Sequence, residues 1–220
     1  MKTGLFLLLW GFLFASGLGA ADAPEVPWRN VGPGGGGWIQ SMLASRHGQN
    51  VFFVGCDVGG FYRSEDGGTS YAVHNEGFED YFIECLAEHP ADPKILYAGC
   101  KSGVYKSADG GLTWRWLREG FPPVQEYAYS AMVSKIVLDP RDPETVYAAI
   151  GQPREERGGQ GAIYKSADGG ATWRQIVQAG QLPKDLLISD LAVHPLEPRR
   201  LLIATPKGIF ASADGGATWA

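Results

Sequence analysis

The chain has 220 residues, 45% hydrophobic and 20% charged, which is enough material to bury a sizeable core. A formal charge of −5 with no run of Lys or Arg excludes a phosphate-tracking surface, so nucleic acid is not an expected partner. Thirty-one glycines and fourteen prolines demand many tight turns and point to strands rather than helices.

The chain opens "MKTGLFLLLWGFLFASGLGA", with Lys2 ahead of an apolar run from Leu5 to Phe14 and then small residues. Such a run is too short to span a bilayer and reads as an export signal over residues 1–20, cleaved after Ala20 or as late as Ala23. Residues 24–220 are then expected to be secreted or periplasmic, with no membrane span after signal removal. Three cysteines follow, Cys56, Cys85 and Cys100, and an odd count leaves at least one unpaired within the chain. Cys56 and Cys100 end equivalent strands ("VFFVGC", "ILYAGC") and read as small buried hydrophobes. No cysteine–histidine spacing or i, i+4 histidine pair suits zinc, and no metal or cofactor is expected.

Next come "VGPGGGGWIQ" (31–40) and "GCDVGGFYR" (55–63), neither of which recurs. The tetraglycine Gly34–Gly37 suits a tight entry loop before Trp38 and the first strand. Asp57 falls in the turn between the second and third strands. Immediately after it stands "SEDGGTSY" (64–71), and this pattern does recur, as "SADGGLTW" (107–114) and twice as "SADGGATW" (166–173, 212–219). Its aspartates, Asp66, Asp109, Asp168 and Asp214, lie 43, 59 and 46 residues apart. That spacing, with four short strands per unit, predicts propeller blades.

The flanks repeat as well. "LAEHPADPKILYAGCKSGVYKSADGG" aligns with "IVLDPRDPETVYAAI" plus "GAIYKSADGG", and with "LAVHPLEPRRLLIATPKGIFASADGG". Each unit predicts an apolar strand, a proline turn, a second strand, a glycine turn, a third strand, and an Asp-Gly-Gly reversal into a fourth led by an aromatic residue. A carboxylate heading that reversal accepts local hydrogen bonds, glycine allows left-handed backbone, and the trailing ring packs on a neighbour. Four equivalent copies argue for structural, not catalytic, aspartates. His89 and His194 share one position with Asp139, which suits capping of the proline turn.

Function is expected where the repeats differ. Later units carry no acid at the position of Asp57, so it is either an added functional carboxylate or a turn cap beside two glycines. "FPPVQEYAYSAM" (121–132) lengthens one loop with Glu126, Tyr127 and Tyr129, and "GQPREERGGQG" (151–161) enlarges another with Glu155 and Glu156. Trp38, Phe61, Tyr81, Phe82, Tyr127 and Tyr129 are candidate stacking platforms for sugar rings, or else rings packed between blades.

The recurrent turns resemble the Asp-box (BNR) repeat of sialidases, sortilin-type propellers and several glycoside hydrolases. "WRNVGPGGGGWI" followed by "FVGCDVGGFYRS" is similar to the first blade of family 74 glycoside hydrolases, the xyloglucanases. The resemblance implies an all-β propeller of four-stranded antiparallel blades. It implies Asp57 as one of two carboxylates of an inverting hydrolysis, with Gly59, Gly60, Tyr62 and Arg63 completing a substrate-binding motif. Inverting chemistry needs a base for water and an acid for the leaving group, roughly 6.5–9.5 Å apart across the sugar. This chain departs from that pattern in three ways. Gly55-Cys56 replaces the usual Arg-Thr, a full Asp box follows the turn, and the family's second carboxylate comes from a second propeller. About four blades are present, which would not close the usual ring, so a fragment or closure with a partner is expected. The expected function is an exported carbohydrate-active propeller that hydrolyses or binds a β-glucan such as xyloglucan and is incomplete as a catalyst in this chain. The alternative is a non-catalytic sortilin-like scaffold for a protein or glycan partner. A sialidase lacks its arginine triad and Tyr–Glu pair here.

Overall fold

The computed structural model describes residues 36–121, 132–151, 161–177, 181–183 and 186–220. Residues 1–20, expected above to be an export signal, and Tyr127, Tyr129, Glu126, Glu155 and Glu156 lie outside the described residues. Among the described residues fifteen strands form four antiparallel sheets, each a simple meander. The first sheet holds β1 (Ile39–Ala44), β2 (Phe52–Cys56), β3 (Phe61–Ser64) and β4 (Ala72–Val73). The second holds β5 (Ile83–Glu88), β6 (Leu96–Cys100), β7 (Gly103–Ser107) and β8 (Arg115–Leu117). The third holds β9 (Val133–Leu138), β10 (Val146–Ile150), β11 (Ala162–Ser166) and β12 (Arg174–Gln175). The fourth holds β13 (Asp190–Val193), β14 (Leu201–Thr205) and β15 (Gly208–Ser212), with Ala220 exchanging both backbone hydrogen bonds with Ala211.

These sheets are four consecutive blades of a β-propeller. The first strand of each lies beside the first strand of the next, β1 by β5, β5 by β9 and β9 by β13. Second strands are apolar throughout because a sheet covered on both faces has no wet side. Every residue of β6 and β10 is accordingly buried. Three apolar clusters fill the three joints between adjacent blades. Phe53 and Phe61 of the first blade meet Ile83, Leu96, Tyr105 and Trp114 of the second. Tyr97 and Val104 of the second meet Val133, Ile136 and Trp173 of the third. Tyr147 and Ile163 of the third meet Ile188, Leu191, Leu201 and Ile203 of the fourth. Phe61 is therefore core, not a sugar platform. It is fully buried and lies edge-on to Trp114 at 4.9 Å between ring centroids.

The four Ser-x-Asp-Gly-Gly turns share one hydrogen-bond scheme. Asp66 Oδ1 accepts from the Ser64 hydroxyl and the Ser70 N–H at 2.9 Å each, while Oδ2 accepts from the Ser70 hydroxyl at 2.6 Å. Ser107 and Thr113 serve Asp109, Ser166 and Thr172 serve Asp168, and Ser212 and Thr218 serve Asp214 in the same way. The donors are side-chain hydroxyls two residues back and four residues on, together with the backbone N–H of that fourth residue, so each carboxylate is satisfied within its own turn. Bonds from Ser70, by side chain and backbone, hold the Asp66 carboxyl at about 2, below its ordinary 3.8. Each turn also rests on the first–second strand turn of its own blade. Gly67, Gly110, Gly169 and Gly215 donate N–H to the carbonyls of Asn50, Lys94, Glu144 and Arg199. Those supporting turns are capped where the swap predicts it. His89 Nδ1 and His194 Nδ1 accept backbone N–H groups, as does Asp139 Oδ1.

Candidate functional site

Antiparallel strands alternate the turns between two ends of each blade. The Ser-x-Asp-Gly-Gly turns sit at one end, and the β2–β3 turn with Asp57 sits at the other. The two kinds of aspartate are therefore separated by the length of a strand.

Residues 57–60 are held from both sides. Cys56 donates N–H to the Gly60 carbonyl at 2.9 Å, closing the turn. On the entry side, Asp57 donates its N–H to the Trp38 carbonyl at 3.0 Å, and Asp57 Oδ1 accepts the Trp38 N–H at 2.7 Å. Gly59 donates to the Gly36 carbonyl at 2.7 Å. The last glycine of the run has a steric reason here. Gly37 has φ of +92°, and a Cβ there would run into Asp57 Oδ1. On the other side, Asn75 accepts the Phe61 N–H at 2.8 Å and donates to the Gly59 carbonyl at 2.9 Å. Asp57 is left partly exposed, with its Oδ2 free of hydrogen-bond partners among the described residues. Trp38, whose backbone holds it, is 77% exposed, and Val58 of the same turn is exposed as well.

The motif residues divide between two places. Gly59 and Gly60 build the Asp57 turn, and the Tyr62 ring packs its hydroxyl against Gly36 and Gly59. Arg63 is not brought to Asp57. Its guanidinium donates to the Gly110 carbonyl of the second blade at 2.8 Å and pairs with Glu65 at 2.6 Å, at the far end of β3. Neighbours in the motif point to opposite blade faces, because strand side chains alternate.

Three residues missed by sequence reasoning complete this end. Asn75 is the first. Its signal lay in "NEGF" (75–78) and "REGF" (118–121), a second repeat in which Arg118 likewise holds the turn of its own blade through the Ser102 carbonyl at 2.7 Å. Glu84 on β5 is the second, and Lys101, at the Asp57 position of the second blade, is the third. Burial foremost raises the Glu84 carboxyl above its ordinary 4.5, the Lys101 ammonium pulls it back, and the charges of Asp57 and Asp80 push it further up. Asp80 itself accepts the N–H groups of Phe82 and Ser102. Glu84 lines a cavity of about 320 Å³ along the first strands, together with Gln40, Ser41, Met42, Lys135 and Asp190. Lys135 and Asp190 pair across it at 3.1 Å. The three thiols are buried and unpaired, and burial pushes Cys85 up to about 12, so they are inert packing. Among the described residues no group of three or more His, Cys, Asp or Glu could hold a metal ion.

No family model matches the chain. A xyloglucanase of Paenibacillus sp is 26% identical over 204 residues, covering 80% of this chain and 19% of that protein. Xyloglucanase Xgh74A of Acetivibrio thermocellus is 36% identical over 121 residues, covering 47% of this chain and 13% of that protein. The chain thus spans about a fifth or less of the curated relatives it matches. Among solved structures, an ancestral GH74 enzyme matches 89% of this chain and 25% of its own at a TM-score of 0.69 and 19% identity. The GH74 enzyme of Niastella koreensis matches 79% of this chain and 27% of its own at 0.61 and 23%. The chain resembles the family 74 propeller in sequence and shares its fold.

Proposed function

We propose that this chain is the Asp57-bearing part of an exported, carbohydrate-active propeller that hydrolyses a β-glucan of the xyloglucan class with inversion. Asp57 serves as one carboxylate of the pair, and the second is supplied outside this set of blades. The observation that carries the reading is the state of Asp57. One oxygen is tied to the backbone N–H of Trp38, the other is free, and Trp38 itself is exposed. A saccharide ring stacks on an aromatic face, and a carboxylate fixed through one oxygen keeps its second aimed at a water or a leaving group. Gly59 and Gly60 keep the backbone low beneath the sugar. Tyr62 positions the glycine entry loop, and Arg63 locks the first blade to the second. The four repeated turns are Asp boxes in this reading and take no part in chemistry. Similarity to xyloglucanases over 80% of the chain supports the substrate class. Reducing-sugar release from xyloglucan by the parent protein, with and without Asp57→Asn, tests it. A loss of about 10²–10⁴-fold is expected for a group that transfers protons in the transition state. Equal activity would remove Asp57 from the mechanism.

A second reading is a non-catalytic glycan or protein scaffold, favoured by the same Trp38–Asp57 bond, which also suits a plain turn cap. Retention of the chain on immobilised xyloglucan without soluble products from the parent protein would select it.

A further inference from the structure

The first strands of three consecutive blades carry a bulge at one equivalent position. On β1 the two steps from Ile39 to Ser41 face the single step from Cys56 to Gly55, which leaves Gln40 out of register. Glu84 on β5 and Ser134 on β9 are left out in the same way. Ser189 holds the equivalent place just ahead of β13, because Asp190 pairs with Ala204 as Lys135 pairs with Ala149. A bulge of this kind bends the strand and re-aims one side chain. Gln40, Glu84, Ser134 and Ser189 all line the cavity of about 320 Å³ along the first strands. It lies toward the Asp57 end of the blades, since Ile39, next to Gln40, pairs with Cys56, next to Asp57.

The short and the long members of this row end differently. Ser134 Oγ donates to the Ile188 carbonyl at 2.7 Å, and Ser189 Oγ to the Ala204 carbonyl at 3.1 Å, so both hydroxyls are bonded to backbone. Among the described residues neither the Glu84 carboxylate nor the Gln40 amide has a hydrogen-bond partner. Groups withdrawn from water are normally hydrogen-bonded, and a carboxylate without donors in such a place is destabilising. The destabilisation is visible at Glu84, whose carboxyl is raised above its ordinary 4.5 by burial foremost. Glu84, Ser134 and Lys135 belong to the second and third blades, each of which is flanked on both sides. This wall of the cavity is therefore set by internal joints of the array.

The chemistry of the wall selects an occupant. Glu84 opposes an anion. Lys101, held 3.2 Å over the Phe82 ring and acting on Glu84, opposes a cation, as does Lys135, paired with Asp190 at 3.1 Å. A neutral molecule must bring donors to Glu84, and both a donor and an acceptor to the Gln40 amide. Met42 and Leu86 add apolar surface that suits C–H groups. A sugar ring carries both, hydroxyls at its rim and C–H groups on its faces. About 320 Å³ is at the low end of small-ligand pockets and has room for one ring rather than a chain. We infer that this cavity binds a single neutral sugar ring, with the Glu84 carboxylate accepting charge-assisted hydrogen bonds from two neighbouring hydroxyls and the Gln40 amide meeting a third. The site is separate from the Asp57 turn and does not depend on hydrolysis there.

The test titrates the isotope-labelled full chain at neutral pH and follows its amide resonances. D-xylose and D-glucose serve as free rings, and cellotetraose supplies rings within a chain. The amides of Gln40, Glu84 and Lys135 are expected to move together with a Kd of about 1–10 mM, the range open to one ring held by a few polar groups. Tighter binding of the free sugars would mark a free ring as the natural occupant, and tighter binding of cellotetraose a unit of a longer chain. Glu84→Gln keeps the size of the side chain and loses its charge, so binding should weaken about 3–10-fold. Glu84→Ala should weaken it at least about 10-fold. Both variants should keep the remaining amide pattern of wild type. Asp57→Asn should leave this binding in place, so a failure here and a failure of the hydrolytic reading are told apart. Three results would each overturn the inference. They are no movement of these amides up to roughly 100 mM of all three sugars, equal binding by wild type and Glu84→Ala, and shifts that follow Trp38 and Asp57 and vanish in Asp57→Asn.

Discussion

Asp109→Ala and Asp57→Asn should separate the turn-holding aspartates from the one proposed to be functional. Asp109 accepts four hydrogen bonds, from the Ser107 hydroxyl at 2.7 Å, the Leu112 N–H at 3.0 Å, the Thr113 N–H at 2.9 Å and the Thr113 hydroxyl at 2.6 Å. Burial opposes its ionised form, yet those four donors outweigh burial and hold the carboxyl at about 2 against an ordinary 3.8. At about 1.4 kcal/mol per pKa unit that gap corresponds to roughly 2 kcal/mol. Solvent screening at a partly exposed turn reduces it to about 1 kcal/mol. For a chain of this size the melting midpoint should then fall by roughly 2–4 °C at neutral pH. The folded pKa is depressed, so this stability is present above the ordinary carboxyl value and is lost as pH falls through about 2. Melts of wild type and Asp109→Ala should differ at pH 7 and 5 and converge near pH 2. Asp57→Asn keeps an acceptor for the Trp38 N–H, so its cost should stay within about 0.5 kcal/mol at any of these pH values. If Asp57→Asn costs as much as Asp109→Ala, or if the Asp109→Ala deficit persists in acid, the division of roles is wrong.

Gly37→Ala forces a side chain into left-handed backbone and into the Asp57 carboxylate. Calorimetry should show a loss of about 1–3 kcal/mol, and xyloglucan turnover by the parent protein should fall with it. Asn75→Ala strips the Phe61 N–H of its acceptor and releases the Gly59 carbonyl, so the Phe61 amide should exchange faster and stability should drop by about 1–3 kcal/mol. Glu84→Gln should stabilise the fold at neutral pH. A carboxyl raised by burial gives its stability below its ordinary 4.5 and loses it as pH rises through the raised value, so the variant should gain at pH 7 and match wild type below pH 4.

The hairpins were legible because everything that makes them is local. Asp66 finds Ser64 and Ser70 within four residues, so one eight-residue pattern encodes the whole turn and its repetition counts the blades. Asp57 was legible for the opposite reason, as the position at which the first unit breaks a pattern that the others keep. What escaped depends on contacts between distant segments. Arg63 lies in the same motif as Asp57 yet spends its guanidinium 47 residues away, because adjacency along a strand is not adjacency in space. Glu84 looks like any strand residue, and only its burial and the charges that the fold gathers around it make it costly to ionise. The same distinction explains why a propeller can host chemistry on one end without weakening the other. Each Ser-x-Asp-Gly-Gly turn is satisfied within its own blade, so the β2–β3 turns are free to differ. A single carboxylate introduced there, as Asp57 is, needs only the Trp38 N–H and two glycines to hold it.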